Sequence, residues 1–181
     1  MLSTILNAFQ VADIRKKLAF TAAMLLIYRL GSHVPVPGVN LTAVNNIQKE
    51  FGGGGILSYL NLFSGGGLAK LALFALGIMP YITASIILQL LQVVVPSLEK
   101  LSKEGEVGQA RITQYTRYLT VGLAFAQSIG YVFLFHSIST GSSGSIIPTF
   151  DLQHVFLIVI SLTAGTVLVM WMGELITQHG I

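Results

Sequence analysis

A serine between two glycines is the feature of this sequence that comes closest to a catalytic centre. Gly141-Ser-Ser-Gly144 fits a Gly-x-Ser-Gly pattern, and His136 and His154 are near it in the sequence. Nucleophilic catalysis needs the serine oxygen held against a base in a protected site. Here the serines lie in a polar Ser/Gly run over 137–145, which is typical of a flexible turn. We expect an outer loop and no catalytic residue, with a membrane-embedded protease as the minor alternative.

Glycine runs and histidines offer two further kinds of site. The glycines at 52–55 and 65–67 lack the Gly-x-x-x-x-Gly-Lys-Ser/Thr string of a phosphate-binding loop. They are interpreted as hinges. The histidines occur singly, without the spacing of a zinc site, and the chain has no cysteine. The sequence therefore predicts no metal site and no cofactor.

Two isoleucines in a broken apolar stretch point instead to a gate. Ile78 and Ile82 stand four residues apart, so on a helix they share one face. Such a pair is usually plain core packing, but it can also form an apolar constriction that closes a pore by excluding water. Pro80, between them, predicts a kink. Ile56–Phe63 precedes this stretch and is too short to span a bilayer. A re-entrant segment is expected there, with an ordinary outer loop as the alternative.

The amino-acid composition indicates the class of protein in which these residues are placed. Hydrophobic residues make up 53% of the 181 residues and charged residues only 9%, whereas soluble domains carry about 25% charged residues. The windows 71–98, 118–150 and 152–173 contain no Asp, Glu, Lys or Arg, and each can hold a span. A fourth candidate runs over 18–36 and contains Arg29 near its far end, where an arginine can snorkel to the headgroups. The sequence predicts an all-α membrane protein with four transmembrane helices and one short re-entrant half-helix.

The predicted organisation runs in nine segments. They are a cytoplasmic amphipathic N-terminal segment at 1–17, span 1 at 18–36, an outer loop at 37–67 that contains the half-helix at 56–63, a kinked span 2 at 68–95, a cytoplasmic loop at 96–114, span 3 at 115–136, an outer loop at 137–152, span 4 at 153–173 and a cytoplasmic end at 174–181.

The basic residues predict how these spans are oriented. They cluster before span 1 and around the 96–114 loop, and the outer loops hold almost none. By the positive-inside rule, the N-terminus, that loop and the C-terminal end face the cytoplasm. The net charge of +3 is explained by this flanking pattern, so we expect no direct nucleic-acid recognition.

Long strings in this sequence resemble the SecY/Sec61α family, and specifically its bacterial members, the channel subunits of the Sec protein translocase. The matching strings follow the family's order over nearly the whole chain: Asp13-Ile-Arg-Lys-Lys17, Tyr28-Arg-Leu-Gly-Ser-His-Val-Pro-Val-Pro-Gly38, Leu76-Gly-Ile-Met-Pro-Tyr-Ile-Thr-Ala-Ser-Ile-Ile-Leu-Gln-Leu90, Lys103-Glu-Gly-Glu-Val-Gly108, Gln114-Tyr-Thr-Arg-Tyr118 and Gly173-Glu-Leu-Ile-Thr177.

The resemblance implies roles for individual residues. Ile78 and Ile82 would belong to the pore ring, and Gly65, Gly66, Gly67 and Pro80 would be hinges. Lys100, Lys103, Glu104 and Arg111 would lie in a loop that faces cytoplasmic partners. The half-helix would be the plug that blocks the resting channel, formed by Ile56, Leu57, Ser58, Tyr59, Leu60, Asn61, Leu62 and Phe63.

The resemblance also implies a function, which is to pass unfolded polypeptides across and into the bacterial plasma membrane without catalysing a reaction. The implied partners are the small subunits SecE and SecG, the SecA motor ATPase, the ribosome, polypeptides bearing signal sequences, and membrane lipids. The family fold has about ten spans in two inverted halves, so the chain is expected to be its N-terminal portion. Half of a secondary transporter, with a broken helix at its substrate site, is the alternative.

Overall fold

The structure is a computed structural model that describes residues 12–40, 42–44, 56–141, 147 and 150–180. Its described elements are helices, without strands, which confirms the all-α prediction. In chain order they are α1 Ala12–Gly31, α2 Ile56–Phe63, α3 Met79–Val94, α4 Pro96–Lys103, α5 Glu106–Gly141 and α6 Leu152–His179. Of the predicted amphipathic segment at 1–17, residues 1–11 lie outside the described residues, and residues 12–17 form the beginning of α1.

Two of the described helices are long and apolar enough to cross a membrane, namely α5 over Glu106–Ser137 and α6 over its full length. A third candidate arises if α3 and α4 count as one span, although they are bent by 101° at the break between them. The basic residues at both ends of α1 keep that helix outside this set, and span 1 stays a prediction. α1 is nevertheless one unbroken helix.

The second predicted span begins later than expected. Residues 64–78 form consecutive turns, here named the turn segment, and the helix starts only at Met79. Gly77 and Leu71 have φ angles of 59° and 45°, which a right-handed helix cannot accommodate. Pro80 lies in the first turn of α3, where its missing N–H costs no hydrogen bond. The proline therefore starts this helix and does not kink it.

The cytoplasmic loop expected at 96–114 is mostly helical. Pro96 begins α4, and α5 starts at Glu106 after a turn at Gly105, whose φ is 72°. A Cβ on Gly108 would lie 1.7 Å from the carbonyl oxygen of Leu101. Glycine thus lets α4 press its backbone against α5, which gives a physical reason for the Lys103-Glu-Gly-Glu-Val-Gly108 string.

The turn segment forms the centre of the core. Leu68 is 1% exposed and Phe74 2%. The turn segment meets the chain just after α1, because the amide of Val36 donates to the Leu71 carbonyl and that of Leu73 to the Val34 carbonyl. Its buried side chains pack in one cluster with residues of α5 and α6, among them Ala124, Val132, Phe135, Ile158, Val159 and Leu162.

The close approach of α6 to the turn segment depends on one glycine. A Cβ on Gly165 of α6 would lie 2.0 Å from the carbonyl oxygen of Leu73. That atom belongs to the backbone of the turn segment and cannot rotate away. α6 therefore approaches the turn segment as closely as it does only because this position has no side chain.

The α5–α6 pair is joined by an ion pair in which two guanidinium nitrogens approach the two carboxylate oxygens. The Arg117 guanidinium places Nε 2.7 Å from Oε1 of Glu174 and Nη2 2.7 Å from Oε2. The Glu174 side chain is only 9% exposed, whereas that of Arg117 is 45% exposed. The carboxylate therefore depends on this partner more than the guanidinium does.

We expect Gly165→Ala to destabilise the fold by about 1–3 kcal/mol, because the added methyl group must displace backbone. Equilibrium unfolding of the purified protein in detergent measures this. Gly173→Ala on the same helix is the matched control, since its Cβ would meet no atom within 4 Å, and it should cost nothing. Equal losses in the two variants would contradict the close approach.

Removing Arg117 should cost more stability than removing Glu174. Arg117→Ala leaves a nearly buried carboxylate unpaired, for a loss of about 1–3 kcal/mol, whereas the guanidinium left by Glu174→Ala can turn to water. The same unfolding measurement compares the two variants. The exposed pair Lys103–Glu99, at 2.6 Å, is the control, and Lys103→Ala should change stability by less than about 1 kcal/mol. The reverse order of the first two losses would refute the asymmetry.

Candidate functional site

The predicted plug is an eight-residue helix in the structure, α2, over the same residues Ile56–Phe63. At about 1.5 Å per residue it is far too short to cross a bilayer. Tyr59 and Leu62 are 67% and 75% exposed. α2 is therefore a short apolar helix that leaves two large side chains exposed.

Hydrogen bonds tie the end of α2 to the turn segment. The side-chain oxygen of Asn61 accepts from the amide of Ala69 at 2.9 Å, and its backbone carbonyl accepts from the amide of Gly66 at 2.9 Å. Ser64 Oγ donates to the same carbonyl and accepts from the amide of Leu68. Asn61 and Ser64 therefore satisfy the backbone groups that a broken helix exposes.

The three predicted hinge glycines after α2 differ in what they do. Gly65 and Gly66 have φ angles of 62° and 86°, a conformation that glycine adopts without strain. Gly67 lies in a tight place, since its Cβ would lie 3.2 Å from the carbonyl oxygen of Ser64 and 3.3 Å from that of Phe74. The reversal of the chain after α2 is thus made by the first two.

The structure places Ile78 and Ile82 on one exposed face at the start of α3. They are 38% and 41% exposed, and the amide of Ile82 donates to the carbonyl of Ile78. The same i,i+4 repeat continues through Ile86 and Leu90, which are 51% and 64% exposed. We call Ile78, Ile82, Ile86 and Leu90 the aliphatic stripe. Sequence reasoning stopped at Ile82, although the repeat itself could have identified the other two.

The side of α3 opposite the aliphatic stripe is packed against protein over most of the helix. Pro80, Ala84 and Leu88 are buried there, and exposure on that side returns near the end of the helix at Leu91. Over its first turns, α3 therefore presents a hydrocarbon surface on the side of the stripe.

Ile78 also borders an apolar cavity of about 260 Å³ between α1 and α6. Met24 and Leu25 of α1 and Val169 and Met172 of α6 form its walls. Such walls offer few hydrogen-bond partners to water or to a peptide. They can exclude water and contact apolar groups, and they supply no acid, base or nucleophile.

The predicted partner-loop residues lie around the turn between α4 and α5. Lys100 and Lys103 are on α4, Glu104 is in the turn and Arg111 is on α5, and all of them are exposed. Lys103 Nζ is 2.6 Å from Glu99 Oε1. Because α4 turns 101° away from α3, these charges lie beyond the end of that helix.

The described residues give the catalytic alternative no supporting contact. The serines of Gly141-Ser-Ser-Gly144 lie outside the described residues. The His136 ring stacks on Phe150 with centroids 4.0 Å apart, and His154 approaches Gly38. Within the described part of the chain, no three His, Asp or Glu side chains are grouped to hold a metal ion.

Comparison with known proteins gives a consistent result. The family model named SecY matches residues 72–181. Relatives named "Protein translocase subunit SecY" are 52% identical in Streptomyces galbus, 50% in Corynebacterium glutamicum and 47% in Mycobacterium tuberculosis. The matches cover 100%, 99% and 100% of this chain, but 43%, 42% and 42% of the relatives. The chain thus spans about two-fifths of the length of these relatives.

Proposed function

This chain belongs to the SecY family, and we propose that it supplies one wall, the plug and part of the waist of a Sec protein translocase channel. A multi-pass membrane protein with few charged groups is suited to form a conduit through the membrane. The observation that carries the proposal is the aliphatic stripe, which is exposed on the side of α3 opposite the buried Pro80, Ala84 and Leu88.

An aliphatic waist matches the requirements of a protein-conducting channel. Ile78 and Ile82 have no hydrogen-bonding groups on their side chains, so a passing polypeptide is not held according to its sequence. With no polypeptide present, a narrow ring of such side chains excludes water and ions. The substrate is an unfolded polypeptide led by an apolar signal segment.

α2 is proposed as the plug of the resting channel. Its short length, its exposed Tyr59 and Leu62, and the left-handed glycines at its end support a body that moves as a unit about a hinge. Gly65 and Gly66 are the proposed pivot. Pro80, predicted as a further hinge, starts α3 in the structure, and it is not included in this pivot.

The orientation and the partners are part of the same proposal. We place the N-terminus and the α4–α5 corner in the cytoplasm of a bacterial cell, on the distribution of basic residues. The exposed charges at Lys100, Lys103, Glu104 and Arg111 would face the SecA motor or the ribosome. SecE, SecG and lipids would cover other surfaces. These assignments rest on the resemblance.

A secondary transporter fits less well. Such proteins bind their solutes at helix breaks through polar or charged groups near the bilayer midplane. Here Asn61 and Ser64, two polar side chains beside the break, are already bonded to backbone amides. The cavity nearest to the start of α3 is apolar.

We predict that the double substitution Ile78→Ser and Ile82→Ser raises ion leak several-fold through the resting channel, because hydroxyl groups hydrate the waist. The measurement is the conductance of the assembled channel in planar bilayers, without a translocating polypeptide. The same variant should also accept weaker signal sequences.

Leu91→Ser is the matched control for this experiment. Leu91 is 38% exposed, as Ile78 is, but it lies on the opposite side of α3 from Ile82 by the 3.6-residue repeat. Its substitution should leave the leak unchanged. An unchanged leak in the double variant, or an equal rise in the control, would remove the gating role of the stripe.

A further inference from the structure

The last turn of α1 is bonded to the end of the plug. Tyr28 Oη donates to the carbonyl of Ser64 at 3.2 Å, and Arg29 Nη1 donates to the carbonyl of Gly65 at 2.9 Å. Ser64 and Gly65 directly follow Phe63, the last residue of α2. Two neighbouring side chains of one helix thus hold two neighbouring carbonyls of the hinge.

The carbonyls at the end of a helix and in the turn that follows have no partner within the helix, and they carry its negative dipole end. The amides of Gly65 and Gly66 turn back to Leu62 and Asn61, and the Ser64 carbonyl accepts from the Gly67 amide at 3.1 Å as well as from Tyr28. The Gly65 carbonyl accepts from Arg29, so it is the one at which the donor from α1 matters more. A guanidinium is a strong donor to such a group.

The α1 end of this arrangement is held firmly. The Tyr28 ring stacks on Phe74 with centroids 5.7 Å apart and planes 6° from parallel. A Cβ on Gly31 would lie 2.0 Å from the same Phe74 ring, so α1 packs directly against the buried turn segment. Ser32 Oγ donates to the Tyr28 carbonyl at 2.9 Å.

The plug end is adapted to the contact. Gly65 has a φ of 62°, and a Cβ there would lie 3.2 Å from the Tyr28 hydroxyl oxygen. Arg29 is exposed, so its bond to the Gly65 carbonyl competes with water. The bond can therefore break without disturbing any core side chain, while Tyr28 stays stacked on Phe74.

We propose that Tyr28 and Arg29 form a clasp that positions the hinge of the plug in the closed channel. The inference rests on the proposed function, and it assigns to α1 a role in gating. Moving α2 requires breaking two hydrogen bonds to carbonyls, and Arg29 is the positioning residue that makes the stronger one. An arginine at the end of a span is expected to extend its guanidinium toward the interface, and here the guanidinium of Arg29 binds the carbonyl that follows α2.

Hydrogen exchange of the assembled channel, with no translocating polypeptide present, tests the clasp. The reporters are the amides of Gly66, Leu68 and Ala69, which are bonded to Asn61 and Ser64 in the closed arrangement. We expect Arg29→Ala to speed their exchange about three- to tenfold, since the hinge opens more often. Arg29→Lys, which keeps one donor, should give an intermediate rate.

Arg15→Ala is the control, because Arg15 is an exposed arginine on the same helix, near its other end. It should leave the reporter amides unchanged. The α5 amides around Ala124 should not respond to any of these variants. Unchanged reporters in Arg29→Ala overturn the proposal, and so does a parallel acceleration in α5, which would mean that the fold as a whole has loosened.

A pair of variants tests Tyr28 separately. Tyr28→Phe removes the hydroxyl donor but keeps the ring on Phe74, and Arg29→Ala removes the other donor of the clasp. If the clasp is real, their combined effect on the reporter amides differs from the product of the single effects, because both donors hold the same hinge. Independent effects would exclude Tyr28 from the clasp.

The result can be separated from the proposed function. Exchange at the hinge is measured without transport, so a clasp confirmed in a membrane protein that passes no polypeptide would refute the channel and leave the contact standing. Conversely, normal translocation together with unresponsive reporter amides would refute the clasp alone.

Discussion

The constraint on which this structure depends is the need to satisfy non-helical backbone in an apolar interior. Residues 64–78 run as turns through the core, and each buried amide or carbonyl left without a partner would be costly there. The chain after α1 supplies partners through Val34 and Val36, and the end of α2 supplies them through Asn61 and Ser64. Gly165 lets α6 close over the turns.

That broken stretch determines what the surrounding elements can do. A continuous helix would have carried the chain onward without a separate α2. The break leaves α2 as a short separate helix and delays α3 until Met79, and Ile78 and Ile82 are exposed at the start of α3. Bonding the break internally also keeps the polar groups away from the apolar surface that the polypeptide is proposed to follow.

Much of this was predictable from residue types and spacing. The helical class followed from uncharged windows, and the bounds of α2 followed from glycines on both sides of an apolar run. The start of α3 was missed because Pro80 inside an apolar pattern reads as a kink, whereas left-handed angles at Leu71 and Gly77 had already ended any helix. Helix α4 was missed because a charged run reads as a loop, although Pro96 starts a helix well.

The contacts that join distant parts of the chain had no signal in the sequence. Nothing in the order of residues indicates that Tyr28 and Arg29 reach the carbonyls after α2, or that Arg117 meets Glu174. Backbone carbonyls are present at every position, so a side chain that binds one leaves no pattern to detect. The repeat that extends the stripe to Ile86 and Leu90 is visible in the sequence, but the sequence does not show that these two side chains are exposed rather than packed in the core.

The most direct test of the central claim is photocrosslinking from the aliphatic stripe to a polypeptide that has stalled during translocation. A photoreactive amino acid is placed at position 82 of the assembled channel, and at position 91 for comparison. The account predicts a covalent adduct with the stalled polypeptide from position 82, which disappears when its signal segment is removed, and no adduct from position 91. An absent adduct at position 82, or equal adducts from both positions, would contradict the assignment of α3 to the wall of a protein-conducting path.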